Sequence, residues 1–107
     1  MRYTITGRNI DVTPGLREAV IEKIGKLERY FNQDTEAIIT LSVTKDRQKI
    51  EVTIPVKGHI IRAEEQSTDM YVSIDLVEEI IERQLKKYKT KLIDKKQSHI
   101  DFSEFYV

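Results

Sequence analysis

Three consecutive segments alternate apolar and polar residues, and this pattern limits the possible folds more than any other feature of the chain. The first segment is built on Ile39, Leu41 and Val43, and residues 50–56 and 61–63 repeat the pattern. A period of two places successive side chains on opposite faces of a strand. Each predicted strand therefore has one apolar face, which is typical of an antiparallel sheet covered on one side only.

Helical spacing appears on both sides of these strands. The apolar residues of the first helix lie three or four apart: Leu16, Val20, Ile24, Leu27 and Phe31. This spacing predicts a helix over residues 14–31, with Thr13 as its cap and Pro14 in its first position. A second series predicts a helix over residues 69–92, capped by Ser67 or Thr68: Met70, Ile74, Val77, Ile81, Leu85, Tyr88 and Leu92. Tyr71 lies off this apolar stripe and is predicted to be exposed.

The order of these elements predicts the fold class. Residues 2–8 also alternate, so the order is strand, helix, three strands and helix. A right-handed crossover through the first helix would set the first strand parallel to the second. We therefore predict a two-layer α+β fold of order βαβββα, a four-stranded sheet with both helices on one face. Pro55 is unusual in a strand expected to be central, because proline cannot donate to the ladder.

Composition excludes several classes of protein. The 107 residues suit one domain, and the absence of cysteine excludes disulfides, thiol catalysis and cysteine zinc sites. No apolar run approaches the roughly 20 residues of a membrane helix, and the N-terminus lacks a signal-peptide core. His59 and His99 lack ligand spacing, and the four glycines are scattered. We predict a cytoplasmic, non-enzymatic domain without metal, cofactor or membrane contact.

Opposite charges separate along the end of the chain. Seven acids and no base lie between Glu64 and Glu82, whereas seven bases and one acid lie between Arg83 and Lys96. The formal net charge of zero therefore hides a strong local field. Lys23, Lys26 and Arg29 could extend this positive region from the first helix. Such a surface can track a phosphate backbone.

A structural explanation of the same charges stays open. Acids early and bases late in a helix complement its macrodipole. Glu79 with Arg83, and Glu82 with Lys86, also have the i,i+4 order that stabilises a helix by about 0.2–0.5 kcal/mol per pair. Those pairs would leave Lys87 and the bases after it without partners.

The last residues differ from the rest of the chain. We assign residues 1–96 to the domain and residues 97–107 to a tail or the start of a linker. Phe102, Phe105 and Tyr106 cluster in this segment. Its alternatives are a linker to a second domain, or a strand that adds to a sheet edge or to a partner chain. A homodimer through the sheet edge or the tail would fit the second alternative.

Several short motifs resemble one known family, the ribosome hibernation promoting factors, which include ribosome-associated inhibitor A and the sigma-54 modulation proteins. The resemblance covers about residues 1–96 and has four motifs: residues 5–10 with Thr13-Pro14, residues 26–31, Asp69-Met70-Tyr71 with Ile74-Asp75, and residues 82–89. Each motif alone is weak. Their order and separations together make the resemblance specific.

This resemblance implies a fold related in its second half to double-stranded-RNA-binding domains. It implies binding to the small ribosomal subunit and its rRNA, in the channel for messenger and transfer RNA, and inhibition of translation by occupancy. The family's basic residues correspond by position to Lys23, Lys26, Arg29, Arg83, Lys86, Lys87, Lys89 and Lys91. Because the chain continues past the second helix, we expect the N-terminal domain of a long-form member.

Two other functions compete with this one. A protein-interaction module that modulates a transcription factor would use the sheet edge or the tail. An enzyme such as a nuclease would need acids or histidines converging beside the basic surface, and the sequence offers no such cluster.

Overall fold

A computed structural model describes residues 1–31, 34–56 and 58–95, with the side chains of the last helix described as far as Lys87. The elements follow in this order: β1 (Arg2–Arg8), α1 (Pro14–Gly25), a 3₁₀ segment (Lys26–Tyr30), β2 (Glu36–Thr44), β3 (Arg47–Val56), β4 (His59–Ser67) and α2 (Met70–Lys95). The predicted βαβββα order is confirmed. The predicted tail, residues 97–107, lies outside the described residues.

The four strands form one sheet in the order β1-β2-β3-β4. β1 runs parallel to β2, as the crossover through α1 predicted, and the other neighbours are antiparallel. The register sets Ile5 beside Ile39, Ile39 beside Val52, and Val52 beside Ala63. Apolar residues of all four strands therefore share one face of the sheet.

Both helices cover that face, which confirms the predicted two-layer fold. One continuous cluster joins the buried residues of α1, α2 and the sheet. Its fully buried members include Val20, Ile24, Leu27, Ile39, Leu41, Ile50, Val52, Val77 and Ile81. The opposite face of the sheet, which we call the open sheet face, carries the polar residues of the alternation. Burial of apolar surface on one side only is what stabilises this arrangement.

Each helix begins at a side-chain cap. The hydroxyl of Thr13 accepts a hydrogen bond from the Leu16 N–H at 3.2 Å, and Pro14 follows it, as predicted. At α2 the prediction of Ser67 or Thr68 is wrong, since the Asp69 carboxylate accepts the bond from the Tyr71 N–H at 2.8 Å. A carboxylate suits this position because the helix N-terminus carries partial positive charge.

The first helix differs from the continuous α-helix predicted over residues 14–31. Its α-helical part ends at Gly25, and Lys26–Tyr30 form the tighter 3₁₀ turn. A Cβ on Gly25 would lie 2.8 Å from the Tyr3 hydroxyl, so the chain passes close to β1 here. Leu27 and Phe31 nevertheless stay buried. The apolar spacing located the buried side chains and did not specify the type of helix.

Pro55 lies in β3 without interrupting the sheet. The pairing of β3 with β2 ends at Thr53 and Ile38, whereas its pairing with β4 continues through Pro55 and Ile60. At Pro55 the strand therefore pairs on one side only, and a missing N–H is tolerated in such edge positions.

Candidate nucleic-acid interface

The predicted basic residues lie on the helical side of the molecule, opposite the open sheet face. Lys23 is in the last turn of α1, and Lys26 and Arg29 are in the 3₁₀ segment. Arg83, Lys86 and Lys87 follow on α2, where all three are exposed. Lys89 and Lys91 also belong to α2, but their side chains lie outside the described part of the chain. We call the surface formed by α1, the 3₁₀ segment and α2 the helical face.

A row of three carboxylates on α2 borders this surface. Asp75, Glu78 and Glu82 are spaced three and four residues apart, so they lie on one side of the helix, the side toward α1. Asp75 pairs with Lys23 at 3.2 Å, and Glu82 pairs with Arg29 at 3.2 Å. We call these three residues the carboxylate row.

Glu82 holds two bases at once. One of its oxygens, Oε1, lies 3.2 Å from Nη2 of Arg29 and 3.1 Å from Nζ of Lys86. The Lys86 contact is one of the two i,i+4 pairs expected from the sequence, whereas the Glu79–Arg83 pair is absent among the described residues. The hydrogen bond from Lys86 lowers the pKa of the Glu82 carboxyl, and the charge of Arg29 adds to this effect.

Glu78 lies between the two ion-paired members of the row. Partial burial raises the pKa of its carboxyl, and the neighbouring charge of Glu82 raises it further. Lys26 acts in the opposite direction and lowers the pKa of Glu78. Lys26 is therefore within electrostatic reach of the carboxylate row, although it forms no ion pair among the described residues.

Of the predicted basic residues whose side chains are described, three form no ion pair with another described residue: Lys26, Arg83 and Lys87. Arg83 lines a shallow surface hollow together with Glu78, Glu82 and Lys86. Since Arg29 of the 3₁₀ segment contacts Glu82 of α2 at 3.2 Å, the two elements present their bases on the same side of the molecule. Exposed unpaired bases on neighbouring helices can each meet a phosphate without first breaking an internal ion pair.

Among the described aromatic residues near this surface, Tyr30 and Tyr71 reach it and Phe31 does not. The guanidinium of Arg29 lies 5.2 Å from the ring centre of Tyr30, within the range of a cation–π contact. Phe31 is only 7% exposed and belongs to the core. Tyr71 is 51% exposed, as predicted, and lines a groove with Gly15 and Asp75 at the other end of α2.

The open sheet face also carries bases that the sequence did not single out. Arg8, Arg47 and Arg62 are exposed there. Lys49 lies between two carboxylates, 3.1 Å from Glu51 and 3.3 Å from Glu64. Strand alternation could have identified these residues as one face, but it could not have shown which of them are paired.

The described residues contain no group of three or more histidines or acids arranged to hold a metal ion. Within the same part of the chain, each helix is too short or too polar to cross a bilayer.

Comparisons with known proteins agree on one family. A family model described as "Sigma 54 modulation protein / S30EA ribosomal protein" matches residues 3–93. A ribosome hibernation promotion factor of Lactococcus lactis subsp. cremoris is 44% identical over 109 residues, which covers 99% of this chain and 59% of that protein. One from Deinococcus radiodurans is 44% identical over 100 residues, covering 89% of this chain and 52% of that protein. The chain thus spans between half and three-fifths of these curated relatives.

A solved structure has the same fold. The crystal structure of the N-terminal domain of Protein Y from Thermus thermophilus aligns with a TM-score of 0.77 and 29% sequence identity. The alignment covers 82% of this chain and 99% of that one.

Proposed function

The chain belongs to the family of Sigma 54 modulation proteins and S30EA ribosomal proteins, and from this we propose that it is the small-subunit-binding part of a ribosome hibernation factor. In this proposal the helical face docks on rRNA in the channel for messenger and transfer RNA. Translation stops because the channel is occupied, and no reaction is catalysed. The names of the relatives, each a ribosome hibernation promotion factor, support a ribosomal role.

The observation that carries the proposal is the set of unpaired bases on the helical face. Lys26, Arg83 and Lys87 are exposed and lack ion pairs among the described residues. Each phosphate that such a base neutralises releases counterions, so affinity gained in this way falls steeply with salt. Lys23, Arg29 and Lys86 would add contacts once a phosphate competes for their carboxylates, and Lys89 and Lys91 would extend the surface along α2.

The remaining partner predictions belong to the same proposal. A factor that acts on ribosomes works in the cytoplasm and needs no membrane. Homodimerisation through the sheet edge or the tail stays a prediction, as does the similarity to double-stranded-RNA-binding domains. The names of the relatives do not support the alternative of a module that modulates a transcription factor.

Charge reversal on the helical face tests the proposal directly. Lys26→Glu/Arg83→Glu/Lys87→Glu should weaken co-sedimentation with purified small subunits by about 100-fold or more, and should lower the slope of log affinity against log salt by about 3. The matched control is Arg8→Glu/Arg47→Glu/Arg62→Glu, which makes the same change in net charge on the open sheet face. Circular dichroism of both variants shows that the fold is retained.

Comparison with the open-sheet-face control decides whether the helical face is the docking surface. If the helical-face variant binds like the unmodified chain, or if both variants lose binding equally, the helical face is not the docking surface. Added messenger and transfer RNA should displace the unmodified chain from small subunits. Binding that persists unchanged at saturating concentrations of both RNAs would place the site outside the channel.

A further inference from the structure

We propose that Glu82 is a specificity-determining residue of the helical face, which withholds Arg29 and Lys86 from RNA that does not fit the surface. This inference rests on the proposed function, since it concerns how the same surface discriminates among RNAs. Its partner in the carboxylate row, Asp75, withholds Lys23 in the same way. Of the predicted bases with described side chains, Lys26, Arg83 and Lys87 are then the ones open to a phosphate at a first encounter.

The geometry of Glu82 supports this role. A single carboxylate oxygen contacts Nη2 of Arg29 and Nζ of Lys86, at 3.2 Å and 3.1 Å. The side chain of Glu82 is 21% exposed, whereas those of Arg29 and Lys86 are 63% and 62% exposed. The two bases thus reach solvent while the acid that holds them lies lower on the surface. A phosphate approaching from solvent must compete with Glu82 for both cations.

Competition of this kind separates two classes of ligand. A flexible or poorly fitting RNA presents one phosphate at a time, so it gains one contact while breaking one ion pair. A rigid RNA surface that fits the helical face presents several phosphates at the same time. Its contacts with the unpaired bases break no ion pair. The ion pairs of Arg29 and Lys86 with Glu82 therefore lower the affinity for a poorly fitting RNA more than the affinity for an RNA surface that fits.

The same helix offers a matched control. Glu79 lies three residues before Glu82, is exposed, and forms no ion pair among the described residues. Glu82→Gln and Glu79→Gln raise the net charge equally. Only Glu82→Gln frees Arg29 and Lys86, so a difference between the two variants reports the withheld bases and not the overall charge.

The experiment measures binding of a labelled oligouridine RNA by fluorescence anisotropy over a series of salt concentrations. We expect Glu82→Gln to bind this RNA about tenfold more tightly than the unmodified chain at low salt, and Glu79→Gln about twofold more tightly. Two additional phosphate contacts should steepen the salt dependence of Glu82→Gln by about 1.4 in log–log slope. Asp75→Asn, which frees Lys23, should lie between the two.

Equal gains for Glu82→Gln and Glu79→Gln would overturn the inference, because net charge alone would then explain them. No gain for Glu82→Gln would also overturn it, since Glu82 would then serve only to position its partners or to stabilise the fold. Glu82→Asp, which keeps the charge on a shorter side chain, should return affinity toward that of the unmodified chain. Thermal unfolding of each variant identifies any change due to lost stability.

Small-subunit binding separates this inference from the proposed function. Glu82→Gln should gain less affinity for small subunits than for oligouridine, so the preference between the two falls. If the unmodified chain fails to bind small subunits, the proposed function is wrong. The comparison on oligouridine still decides whether Glu82 withholds its two bases.

Discussion

Each side of the molecule carries a group of three ion-paired residues, which we call a trio, and the two trios have opposite ratios of acids to bases. On the helical face Glu82 lies between two bases, Arg29 and Lys86. On the open sheet face Lys49 lies between two acids, Glu51 and Glu64. The N···O distances of all four contacts fall between 3.1 and 3.3 Å. The trio on the helical face therefore carries one net positive charge, and the trio on the open sheet face carries one net negative charge.

The two trios also differ in how the chain assembles them. Glu51 and Glu64 are directly opposite each other on neighbouring strands, so the ladder holds them close. Arg29 and Glu82 are 53 residues apart in sequence and meet only because α2 packs beside the 3₁₀ segment. Backbone pairing thus fixes the trio on the sheet, whereas side-chain packing fixes the trio on the helices. In a chain with no net charge, the sign of each trio is decided by its central residue: a central acid between two bases leaves a positive trio, and a central base between two acids leaves a negative one.

The largest expected effect is a loss of stability when the core is disrupted beneath the trio on the helical face. Ile81 is fully buried beside Glu82 in α2, and Ile81→Ala should reduce the free energy of unfolding by about 2–5 kcal/mol. Ile50→Ala, beside Lys49 in β3, is the matched control and should lose a similar amount. Urea unfolding measures both.

The comparison then depends on coupling. Combined with Ile81→Ala, the effect of Glu82→Gln on RNA affinity should shrink, because the looser helix no longer holds Glu82 against Arg29. The effect of Lys49→Gln on stability should stay additive with Ile81→Ala. Equal deviations from additivity when Ile81→Ala is combined with Glu82→Gln and with Lys49→Gln would contradict this, because both trios would then depend on α2 to the same extent.

A smaller effect tests the trio on the sheet. Lys49→Gln removes the base between Glu51 and Glu64, and like charges directly opposite in a ladder destabilise it. We expect the melting temperature to fall by a few degrees at low salt and to recover in about 1 M salt, where the repulsion is screened. Glu82→Gln should lower it less, since Arg29 and Lys86 are long and can move apart. A salt-independent loss would contradict a charge effect.

The smallest effect concerns Glu78 in the carboxylate row. Burial, followed by the charge of Glu82, raises the pKa of Glu78 above its ordinary value of 4.5. Its contribution to stability is therefore fully present below the unfolded pKa and is lost as the pH rises through the folded pKa. Glu78→Gln should raise the melting temperature by about one to two degrees at pH 7, with no gain at pH 3. Melting curves across this range measure it, and a gain that persists at pH 3 would contradict the assignment.

Periodicity was enough to predict the architecture. Alternation at Ile39, Leu41 and Val43 gave a strand with one buried face, and the structure buries Ile39 and Leu41 completely. Helical spacing identified both helices and their buried residues. These patterns are reliable because burial of apolar side chains acts on every element at its own period. The change from α to 3₁₀ at Gly25 was not predicted, because both helix types keep Leu27 on the buried side.

The candidate site was predictable only in part. Sequence placed the bases on the outer side of the helices, and i,i+4 spacing predicted the contact between Glu82 and Lys86. The same rule wrongly paired Glu79 with Arg83. Contacts from Lys23 to Asp75 and from Arg29 to Glu82 join residues that no local rule relates. The family motifs predicted a binding surface, but not which of its bases are already held by carboxylates.

By itself, the sequence determined the order of elements, the buried faces, the family and the segregation of charge along α2. Each of these depends on the spacing of apolar residues, charges or short motifs along the chain. Only the tertiary structure decided which charges neutralise one another. An ion pair depends on contact within about 4 Å, and packing of α2 against the 3₁₀ segment brings Arg29 to Glu82, whereas Arg83 has no ion pair with another described residue. The bases available to a phosphate are thus a property of the fold.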